Sequence, residues 1–521
     1  MSKVITAQQA AGLIKDDVTL GIATIGLTGW PDEIAEAIQN RFLETGHPRN
    51  MFLVQGCSAG DWKERSTNRW AIDGLLARWM GAHIGSVPLI QKMIMEGRIQ
   101  AYNMPQGVMI NLWREIAAAR PGLITKVGLG TFVDPRVEGG KMNAATTDDY
   151  VKVVEFEGEE YLFYKSFPVD VALIRGTTAD EDGNLTVDKE SIHVESLALA
   201  EAAKNSGGIV IAQAEFLAKA KTLHPKKVMV PGLLVDHVVI ATRMDSCCQT
   251  EGTYYQPSFA GDLRIPLQQI PILELGERKI IARRAAMELK PKAILNFGIG
   301  MPSDVATVAA EEGVSDQLMM TCESGSVGGV PSPLPHFGSA YNVEAIMRHN
   351  DIFDYYDGGG LDMTFLGLAQ VDEHGNVNVS KFSGRPVGCG GFINITQTTP
   401  NVFFVGAFTA GGLKVAVRDG KLVIVEEGKY RKFLRNVEQI TFSGEYSSKI
   451  DQNVLYITER AVFALENGEL ILKEIAPGVD LDKDIRAHME FEPIISRDLR
   501  QMDPALFREH WGGLQGIMEN H

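Results

Sequence analysis

The fold of this chain of 521 residues is decided by a pattern that occurs twice, in Gly26-Leu27-Thr28-Gly29-Trp30-Pro31-Asp32-Glu33-Ile34 and in Gly298-Ile299-Gly300-Met301-Pro302-Ser303-Asp304-Val305. Each copy follows an apolar run typical of a strand, VTLGIATI at 18–25 and KAILNF at 292–297. Each leads into a helix-like run, because proline is favoured at a helix start, where its missing N–H is not needed. The order strand, glycine-rich turn, proline and helix predicts an internal duplication.

A second repeated pattern supports the duplication. DVALIRGTTADEDGNLTV at 170–187 and DMTFLGLAQVDEHGNVNV at 362–379 each predict a buried strand, a loop and a Gly-Asn turn into another strand. Pro302 lies 271 positions after Pro31, whereas Asp362 lies only 192 positions after Asp170. The first half therefore carries 79 additional residues between its two landmarks, and we place this insertion at about 60–150.

Strand-like and helix-like segments alternate in both halves, which predicts an α/β fold with mostly parallel strands. Two prolines in RIPLQQIPILELGE at 264–277 favour a domain boundary there. We therefore predict two similar domains, 1–270 with the insertion and 271–521. Ligands of such folds bind near the carboxyl ends of the strands, so we expect the site in the cleft between the two domains.

The composition excludes several classes of protein. Hydrophobic residues make up 45% and charged residues 22%, which is typical of a globular chain. The net charge of −16 disfavours a nucleic-acid binder that neutralises phosphates. The five cysteines, an odd number with two adjacent, do not form a disulfide framework. Without a leader-like start or an apolar run of about 18 residues, we expect a cytoplasmic protein with no membrane span.

The most unusual segment is QLMMTCESGSVGGV at 317–330. Glu323 follows strand-compatible residues and precedes small residues, a position where a substrate can approach closely. A glutamate there can act as a nucleophile or as a general base. From the pattern alone, a solvated loop residue is the alternative interpretation, since a glutamate before a glycine turn is usually one. Cys322 is predicted to be packed, because the alternation of a strand would point it to the face opposite Glu323.

Two further segments carry candidate binding residues. KFSGRPVGCGGF at 381–392 is glycine-rich, and backbone N–H groups of such a loop can bind an oxyanion, while Lys381 and Arg385 can meet phosphates. YNMPQG at 102–107 presents Gln106, whose amide can bind a carboxylate. An ordinary loop is the alternative interpretation of both segments.

Other motifs are short enough to occur by chance. GCSAG at 56–60 matches G-x-S-x-G after an apolar run, as in serine hydrolases, but no histidine is tied to Ser58 by a local pattern. Neither glycine-rich turn completes G-x-G-x-x-G, so dinucleotide binding is weakly supported. Neither H-E-x-x-H nor C-x-x-C occurs, and we predict no metal site.

Taken together and in order, these motifs resemble the family I CoA-transferases, and within them the single-chain group that acts on short-chain acyl-CoA. The resemblance spans nearly the whole chain and also rests on GLGTFVDPR at 128–136, GCGGFINI at 388–395 and YITERAVFAL at 456–465. It implies two similar Rossmann-like α/β domains in one chain. It further implies a ping-pong mechanism that needs no metal and no cofactor beyond CoA as a substrate.

The resemblance also implies roles for individual residues. Glu323 would attack an acyl-CoA to form an acyl-glutamyl anhydride, and the released CoA would convert this anhydride into a glutamyl-CoA thioester. Gln106 would bind the carboxylate substrate, and Lys381 a phosphate of CoA. The oxyanion hole and the CoA site would be formed by glycines of two loops, Gly298, Gly300, Gly388, Gly390 and Gly391.

The chain departs from the family pattern at two places. Ser324 stands where the family motif S-E-N-G has asparagine, which puts the orientation of Glu323 in question. Residues 23–25 read Ala-Thr-Ile where many relatives have Gly-Gly-Phe, so no oxyanion donor is assigned there.

The expected partners are an acyl-CoA and a short-chain carboxylate such as acetate or propionate, and a second copy of the chain in a homo-oligomer, dimer or tetramer. Neither a nucleic acid nor a membrane is an expected partner. Two alternative functions stay open, an acyl-CoA hydrolase on the same scaffold and a catalytically silent CoA-binding subunit. The sequence does not identify the acid, because the volume of the pocket cannot be deduced from it.

Overall fold

The computed structural model describes residues 2–266, 272–332 and 334–520. Two large sheets organise the described residues, one of eight strands from residues 4–240 and one of ten strands from residues 294–501. The predicted boundary between 270 and 271 lies outside the described residues, so the division into 1–270 and 271–521 stays a prediction. We call the parts of the chain on either side of it the first half and the second half.

The helices and strands of the described residues are numbered in chain order. The helices are α1 Ala7–Leu13, α2 Asp32–Thr45, α3 Pro88–Met95, α4 Gln106–Ala117, α5 Ser196–Asn205, α6 Glu277–Ala286, α7 Met301–Glu311, α8 His349–Asp357, α9 Phe392–Thr398, α10 Gly444–Lys449 and α11 Leu514–Glu519. The strands of the first half are β1 Val4–Ile5, β2 Thr19–Ile22, β3 Met51–Gln55, β4 Leu76–Gly81, β5 Gln100–Asn103, β6 Gly122–Thr125, β7 Val151–Phe156, β8 Glu159–Lys165, β9 Val171–Asp180, β10 Ile209–Ala218 and β11 His237–Ile240. The strands of the second half are β12 Ile294–Phe297, β13 Met319–Thr321, β14 Ser326–Val327, β15 Val330–Pro331, β16 Ala340–Tyr341, β17 Ala345–Ile346, β18 Met363–Gly367, β19 Gln370–Val371, β20 Val377–Asn378, β21 Lys381–Phe382, β22 Arg385–Pro386, β23 Asn401–Val405, β24 Thr409–Ala410, β25 Lys414–Arg418, β26 Lys421–Glu426, β27 Tyr430–Arg431, β28 Asn453–Ile457, β29 Ala461–Glu466, β30 Glu469–Ile475 and β31 Ile494–Gln501.

The two large sheets confirm the predicted α/β class with mostly parallel strands. The first sheet has the order β1-β11-β10-β9-β2-β3-β4-β5, and all of its neighbouring strands are parallel. The second has the order β17-β14-β13-β12-β18-β23-β28-β29-β30-β31. Its centre from β13 to β28 is parallel, antiparallel pairs flank this centre on both sides, and the last pair, β30 with β31, is parallel again. Parallel strands need crossover connections, and helices such as α2 and α7 supply them.

The repeated motif forms the same unit in both halves, as predicted. In the first half, β2 leads through the glycine-rich turn to α2, which begins at Asp32 directly after Pro31. In the second half, β12 leads to α7, which begins at Met301 and has Pro302 in its first turn. The fixed backbone of proline is compatible with a helix start, and there it removes no helical hydrogen bond.

Equivalent aspartates fasten equivalent strands in the two halves. Asp170 Oδ2 accepts a hydrogen bond of 2.8 Å from the N–H of Thr19, the first residue of β2. Asp362 Oδ2 accepts one of 2.7 Å from the N–H of Ile294, the first residue of β12. We call these two contacts the aspartate staples. They confirm at the level of single atoms that the halves are duplicates.

The loops that follow β9 and β18 repeat a second arrangement. Asp180 accepts hydrogen bonds from both the backbone N–H and the Nδ2 of Asn184, each 2.9 Å long. Asp372 accepts the same two hydrogen bonds from Asn376, each 3.0 Å long. The aspartate therefore holds the predicted Gly-Asn turn in both halves.

The first half contains additional elements between β3 and β9. They include α3 and a separate three-stranded antiparallel sheet with the order β6-β8-β7, whereas β4 and β5 hold the sheet positions that β14 and β17 hold in the second half. α3 and β6 lie within the predicted insertion at about 60–150, but β7 and β8 follow residue 150. α4 packs against the second half, where it contacts α8 and α9.

The two halves pack directly on each other. Ile110 of α4 lies in a buried apolar cluster that otherwise consists of second-half residues. Beside it, Asn111 Nδ2 donates a hydrogen bond of 2.7 Å to Asp354 on α8. Arg114, also on α4, forms ion pairs with Asp351 and Asp354. The cleft between the halves is thus closed on one side by a mixed apolar and charged interface.

All five cysteines belong to the described residues, and each is a free thiol. Within the described ranges, the helices are too short or too polar to cross a membrane.

Candidate active site

A cavity of about 320 Å³ lies between the two halves. The first half contributes residues from the turn after β2, from the loops after β3 and β4, and from the start of α4. The second half contributes Glu323, the turn before α7 and the loop before α9. The cavity is lined by Ile25, Gly26, Leu27, Thr28, Cys57, Ser58, Trp62, His83, Ser86, Gln106, Thr250, Glu251, Gly298, Ile299, Glu323, Leu334, Pro335, Phe337, Leu366, Gly367, Val379, Val387, Gly388, Cys389, Gly390, Gly391, Phe392 and Ile395.

Glu323 lies in a tight turn directly after β13. The strand ends at Thr321, and the N–H of Gly325 closes the turn by donating to the carbonyl of Cys322 at 2.9 Å. Only 8% of Glu323 is exposed, so its carboxylate faces the cavity rather than bulk solvent. The sequence-based alternative of a solvated loop residue is therefore wrong.

Cys322 is buried, as predicted, but its orientation was not correctly predicted. Its Sγ lies 3.5 Å from Glu323 Oε2, so the two side chains meet instead of pointing to opposite faces. The alternation of a strand does not apply here, because β13 ends before Cys322 and the turn begins. Burial raises the pKa of the thiol well above its usual value, so the thiol stays protonated at neutral pH.

Gly325 is required by the shape of this turn. Its φ of +114° is a conformation that residues with a side chain rarely adopt. A Cβ at this position would lie 2.2 Å from the carbonyl oxygen of Met347. The turn that presents Glu323 can therefore form only with glycine at this position.

The surroundings of Glu323 make its carboxylate more basic. Burial raises its pKa above the ordinary value, and the hydrogen bond from Asn296 partly opposes this effect. Asn296 Nδ2, on β12, donates to Glu323 Oε2 at 3.4 Å. Asn296 thus supplies an amide to the carboxylate in this chain, in which the motif has Ser324 in place of asparagine. Sequence reasoning missed Asn296, although a polar residue in the apolar run KAILNF was a visible signal.

A chain of three buried side chains leads to the cavity. Gln106 Nε2 lies 2.9 Å from His349 Nε2, and His349 Nδ1 lies 2.8 Å from Glu195 Oε2. The carboxylate of Glu195 accepts the proton on Nδ1, so Nε2 is the acceptor for the Gln106 amide. His349 and Glu195 are fully buried, and only Gln106 reaches the cavity. No sequence motif linked these three residues, because 89 and 154 positions separate them along the chain.

The loop Gly388–Gly391 is held firmly in place. The N–H of Gly388 donates to the carbonyl of Ser380 at 3.0 Å, and the N–H of Gly390 donates to the carbonyl of Ala82 at 2.8 Å. These two N–H groups are thus already engaged within the protein. For the N–H of Gly391, the hydrogen bonds of the described residues include no acceptor, so it is the donor of the three that a ligand can use.

The structure brings six of the eight predicted site residues together around the cavity. These are Glu323, Gln106, Gly298, Gly388, Gly390 and Gly391. Gly300 is exposed before α7, and Lys381 is half-buried on β21; neither lines the cavity. The roles assigned to all eight residues stay predictions.

Among the further ionisable groups that line the cavity, Glu251 and Cys57 are protonated more readily than usual. Burial, assisted by Asp61, raises the pKa of Glu251 to about 7. Burial and the nearby Glu323 carboxylate raise the pKa of Cys57 to about 12, so its thiol is not a competing nucleophile at neutral pH. No local sequence pattern marked Glu251 as a site residue.

The GCSAG motif also reaches the cavity, where Ser58 lies near His83. The N–H of Ser58 donates to the carbonyl of His83 at 3.2 Å. Its Oγ, however, is buried and has no hydrogen-bond partner among the described residues. A serine nucleophile needs a base within hydrogen-bond reach, so this arrangement does not support a serine hydrolase.

The sequence model described as coenzyme A transferase matches residues 4–241. The chain is 56% identical to the caffeate CoA-transferase of Acetobacterium woodii, over 99% of this chain and 100% of that protein. It is 42% identical to the acetate CoA-transferase YdiF of Escherichia coli K12, over 97% of this chain and 95% of that protein.

The structure is similar to two crystal structures of the acyl-CoA transferase YdiF from Escherichia coli O157:H7. The apoenzyme superposes with a TM-score of 0.92 at 41% identity, over 98% of this chain and 97% of that chain. A complex described as a thioester with CoA gives a TM-score of 0.91 with the same identity and coverage. The likeness extends over both halves of the fold.

Proposed function

This chain belongs to the coenzyme A transferase family, and on that premise we propose that it moves CoA between an acyl-CoA and a free carboxylate through covalent intermediates on Glu323. The observation that carries the proposal is the buried Glu323 carboxylate in a cavity built by both halves. The thioester with CoA that is described for YdiF supports it by analogy.

The proposed reaction proceeds in steps that conserve the energy of the thioester. A Glu323 carboxylate oxygen attacks the carbonyl carbon of the acyl-CoA, and the CoA thiolate leaves, which gives an acyl-glutamyl anhydride. The thiolate then attacks the glutamyl carbonyl and expels the first carboxylate, which gives a glutamyl-CoA thioester. The incoming carboxylate attacks this thioester, and the same two steps run in reverse.

Each tetrahedral intermediate carries an oxyanion that needs a hydrogen-bond donor. Removing one such donor typically costs about 2.7–4 kcal/mol of transition-state stabilisation. The N–H of Gly391 is a candidate donor, because Gly391 lines the cavity and this N–H is not engaged within the described part of the protein. Gln106 is a candidate for the carboxylate, since its amide lines the cavity and has a second N–H beyond the one that faces His349.

Burial of the site favours transfer over hydrolysis. Both covalent intermediates react with water, so a transferase must keep the glutamyl group dry. Glu323 is 92% shielded, and apolar side chains such as Phe337, Leu366 and Ile395 line the cavity beside it. We therefore favour a transferase over the alternative of an acyl-CoA hydrolase, and the reactive site argues against a silent subunit.

For the acid that exchanges CoA, we propose short-chain carboxylates such as acetate and propionate, together with larger carboxylic acids. Caffeate and acetate are named for two similar proteins, and the cavity of about 320 Å³ offers more room than an acetyl group needs. We further propose that the reaction uses no metal and no cofactor beyond CoA, and that the chain forms a homo-oligomer in the cytoplasm. Lys381 and Gly300 stay candidates for contacts with the distal parts of CoA.

Intact-mass spectrometry after mixing the protein with acetyl-CoA or propionyl-CoA tests the proposal. We expect an adduct with the mass of CoA less one water that maps to the peptide carrying Glu323, that is absent in Glu323→Ala and that a free carboxylate discharges. Glu445→Gln, at an exposed glutamate that does not line the cavity, serves as the matched control and should form the adduct normally. Consumption of acyl-CoA without an adduct would instead favour a hydrolase, and an adduct that persists in Glu323→Ala would refute the assigned nucleophile.

A further inference from the structure

The first-half wall of the cavity carries a polar group that the proposed reaction does not use. Ser58 lines the cavity and is 1% exposed, and its Oγ has no hydrogen-bond partner within the described residues. A buried hydroxyl that stays unpaired costs free energy, and most such groups in proteins are paired. The position of Ser58 at the cavity implies that its partner comes from a ligand.

The loops that carry Ser58 fix its position. The N–H of Ser58 is held by the carbonyl of His83, and the N–H of Trp62 donates to the carbonyl of Ser86 at 3.0 Å. Between them, a Cβ at Gly60 would lie 2.2 Å from the carbonyl oxygen of Ser86, so the two loops are in close contact. The unpaired hydroxyl of Ser58 therefore has a fixed position in the cavity wall, and a ligand has to place its own hydrogen-bonding group beside it.

Three other lining residues of the same wall carry polar or aromatic side chains. His83, Ser86 and Trp62 line the cavity together with Ser58. The Trp62 and His83 rings lie edge to face, with 6.4 Å between their centroids. Burial lowers the pKa of His83 to about 4, so its ring is neutral at pH 7 and can both donate and accept a hydrogen bond. This wall suits an apolar or aromatic skeleton that carries a neutral hydrogen-bonding group.

We propose that the Ser58 hydroxyl, together with His83 and Ser86, binds a hydroxyl group on the acid that exchanges CoA, so that the enzyme prefers hydroxylated carboxylic acids to the same acids without the hydroxyl. This inference rests on the proposed function, because it places the acid in the cavity of Glu323. The glycine loops proposed for CoA and Glu323 itself belong to the second half, and the Ser58 wall is the first-half surface of the same cavity. A site built to bond a hydroxyl discriminates strongly against an analogue that lacks it.

The test compares acceptor acids that differ by one hydroxyl group. The pairs are 4-hydroxycinnamate with cinnamate and 4-hydroxybutyrate with butyrate, each assayed as acceptor with acetyl-CoA or propionyl-CoA as donor. We expect wild-type kcat/KM to be about tenfold higher for the hydroxylated member of at least one pair. Ser58→Ala should bring this ratio close to one, mainly by lowering kcat/KM of the hydroxylated acid.

Ser447→Ala is the matched control. Ser447 is also buried with an unpaired Oγ, but it lies on α10 outside the cavity, so its removal should leave the ratio as in wild type. A wild-type ratio near one for both pairs, or a ratio that Ser58→Ala leaves unchanged, would overturn the inference and indicate that ordered water pairs with the hydroxyl. Acceptance of acetate but of neither member of either pair would overturn it as well.

The same samples separate this inference from the proposed function. Intact mass reports the CoA adduct on Glu323 whichever acid is preferred. If wild type forms no adduct and transfers no CoA, the proposed function fails, and the inference about Ser58 fails with it. If the adduct forms normally but the hydroxyl preference is missing, only the inference about Ser58 fails.

Discussion

At the scale of the residue, burial of Glu323 determines the pH below which the reaction slows. Burial raises the pKa of this carboxyl above its ordinary value of 4.5, and only the ionised form is a nucleophile. Formation of the CoA adduct should therefore slow as the pH falls, with a midpoint above 4.5. Quenched mass spectrometry of the adduct between about pH 4 and 8 measures this midpoint.

A substitution of Asn296 tests whether the pH dependence comes from Glu323. Its hydrogen bond to Glu323 lowers the pKa, so Asn296→Leu, of similar size, should move the acid midpoint to higher pH. A rate that stays constant down to pH 4.5, or a midpoint that Asn296→Leu does not move, would contradict this account of the site.

Gln106 provides a second prediction at this scale. His349→Asn removes the ring that holds the Gln106 amide, and we expect KM for the acceptor carboxylate to rise about tenfold. Adduct formation from acyl-CoA should slow as well, because the carboxylate that leaves in that half-reaction occupies the site of the incoming acid. Steady-state kinetics with varied acceptor and adduct kinetics measure the two effects, and urea unfolding shows whether the fold is intact. An unchanged KM for the acceptor in a stable variant would contradict a role of His349 in positioning Gln106.

Residues of the site were predictable only where the local sequence carried the signal. Glu323 was predicted because it stands between a strand-like run and a glycine-rich turn. His349 and Glu195 were not predicted, because their role depends on contacts between distant segments. Asn296 lies between these cases, since its polarity was visible in the sequence but its contact with Glu323 depends on the pairing of β12 with β13.

At the scale of the element, the turn after β13 depends on Gly325. Gly325→Ala should destabilise the protein by roughly 1–3 kcal/mol from the strained φ alone, and by more from the clash with the Met347 carbonyl, and adduct formation should fall. Urea unfolding and intact mass measure the two effects. Gly313→Ala is the matched control, since Gly313 has a φ of +74° but nothing within 4 Å of its Cβ position. Equal losses in both variants would show that crowding at the turn is unimportant.

Helices and strands were predicted well where the sequence pattern extended over enough residues to be unambiguous. The repeated strand, turn, proline and helix appears as β2 with α2 and as β12 with α7. The expectation for Cys322 failed because one residue decides where a three-residue strand ends, and the sequence period does not specify that end. The many two-residue strands of the second half had no pattern of their own.

At the scale of the whole molecule, Asn103 connects the two halves beside the cavity. It is 2% exposed, accepts a hydrogen bond of 3.0 Å from the N–H of Cys389 and donates to the carbonyls of Gly81 and Ala82. Asn103→Leu leaves the Cys389 N–H unpaired and should lower the free energy of unfolding by about 1–3 kcal/mol. Because the halves share this contact and a buried cluster, we expect a single unfolding transition by urea.

The control for this prediction stays within one half. Asn205 donates one exposed hydrogen bond to the carbonyl of Ala117, so Asn205→Leu should cost much less. Two separate unfolding transitions in wild type, of which Asn103→Leu affects only one, would show that the halves are independent.

The duplication and a cleft between its halves were predictable from the sequence, because repeated patterns are visible without alignment. How the halves dock was not predictable. Docking depends on α4 and on side chains such as Asn111 and Arg114 that meet α8. Polar residues such as these also occur on solvated surfaces, so no sequence pattern marked them as residues of the interface between the halves.

The aspartate staples show which residue of the first half occupies the position equivalent to Glu323. Thr19 and Ile294 are equivalent, and the pairing of the neighbouring strands then makes Gly56 the counterpart of Glu323. A Cβ at Gly56 would lie 2.8 Å from Glu195 Oε1, so the carboxylate that supports Gln106 fills the space of the missing side chain. The two duplicated halves thus yield a single reactive group, and the expected stoichiometry at saturation is one CoA per polypeptide rather than two.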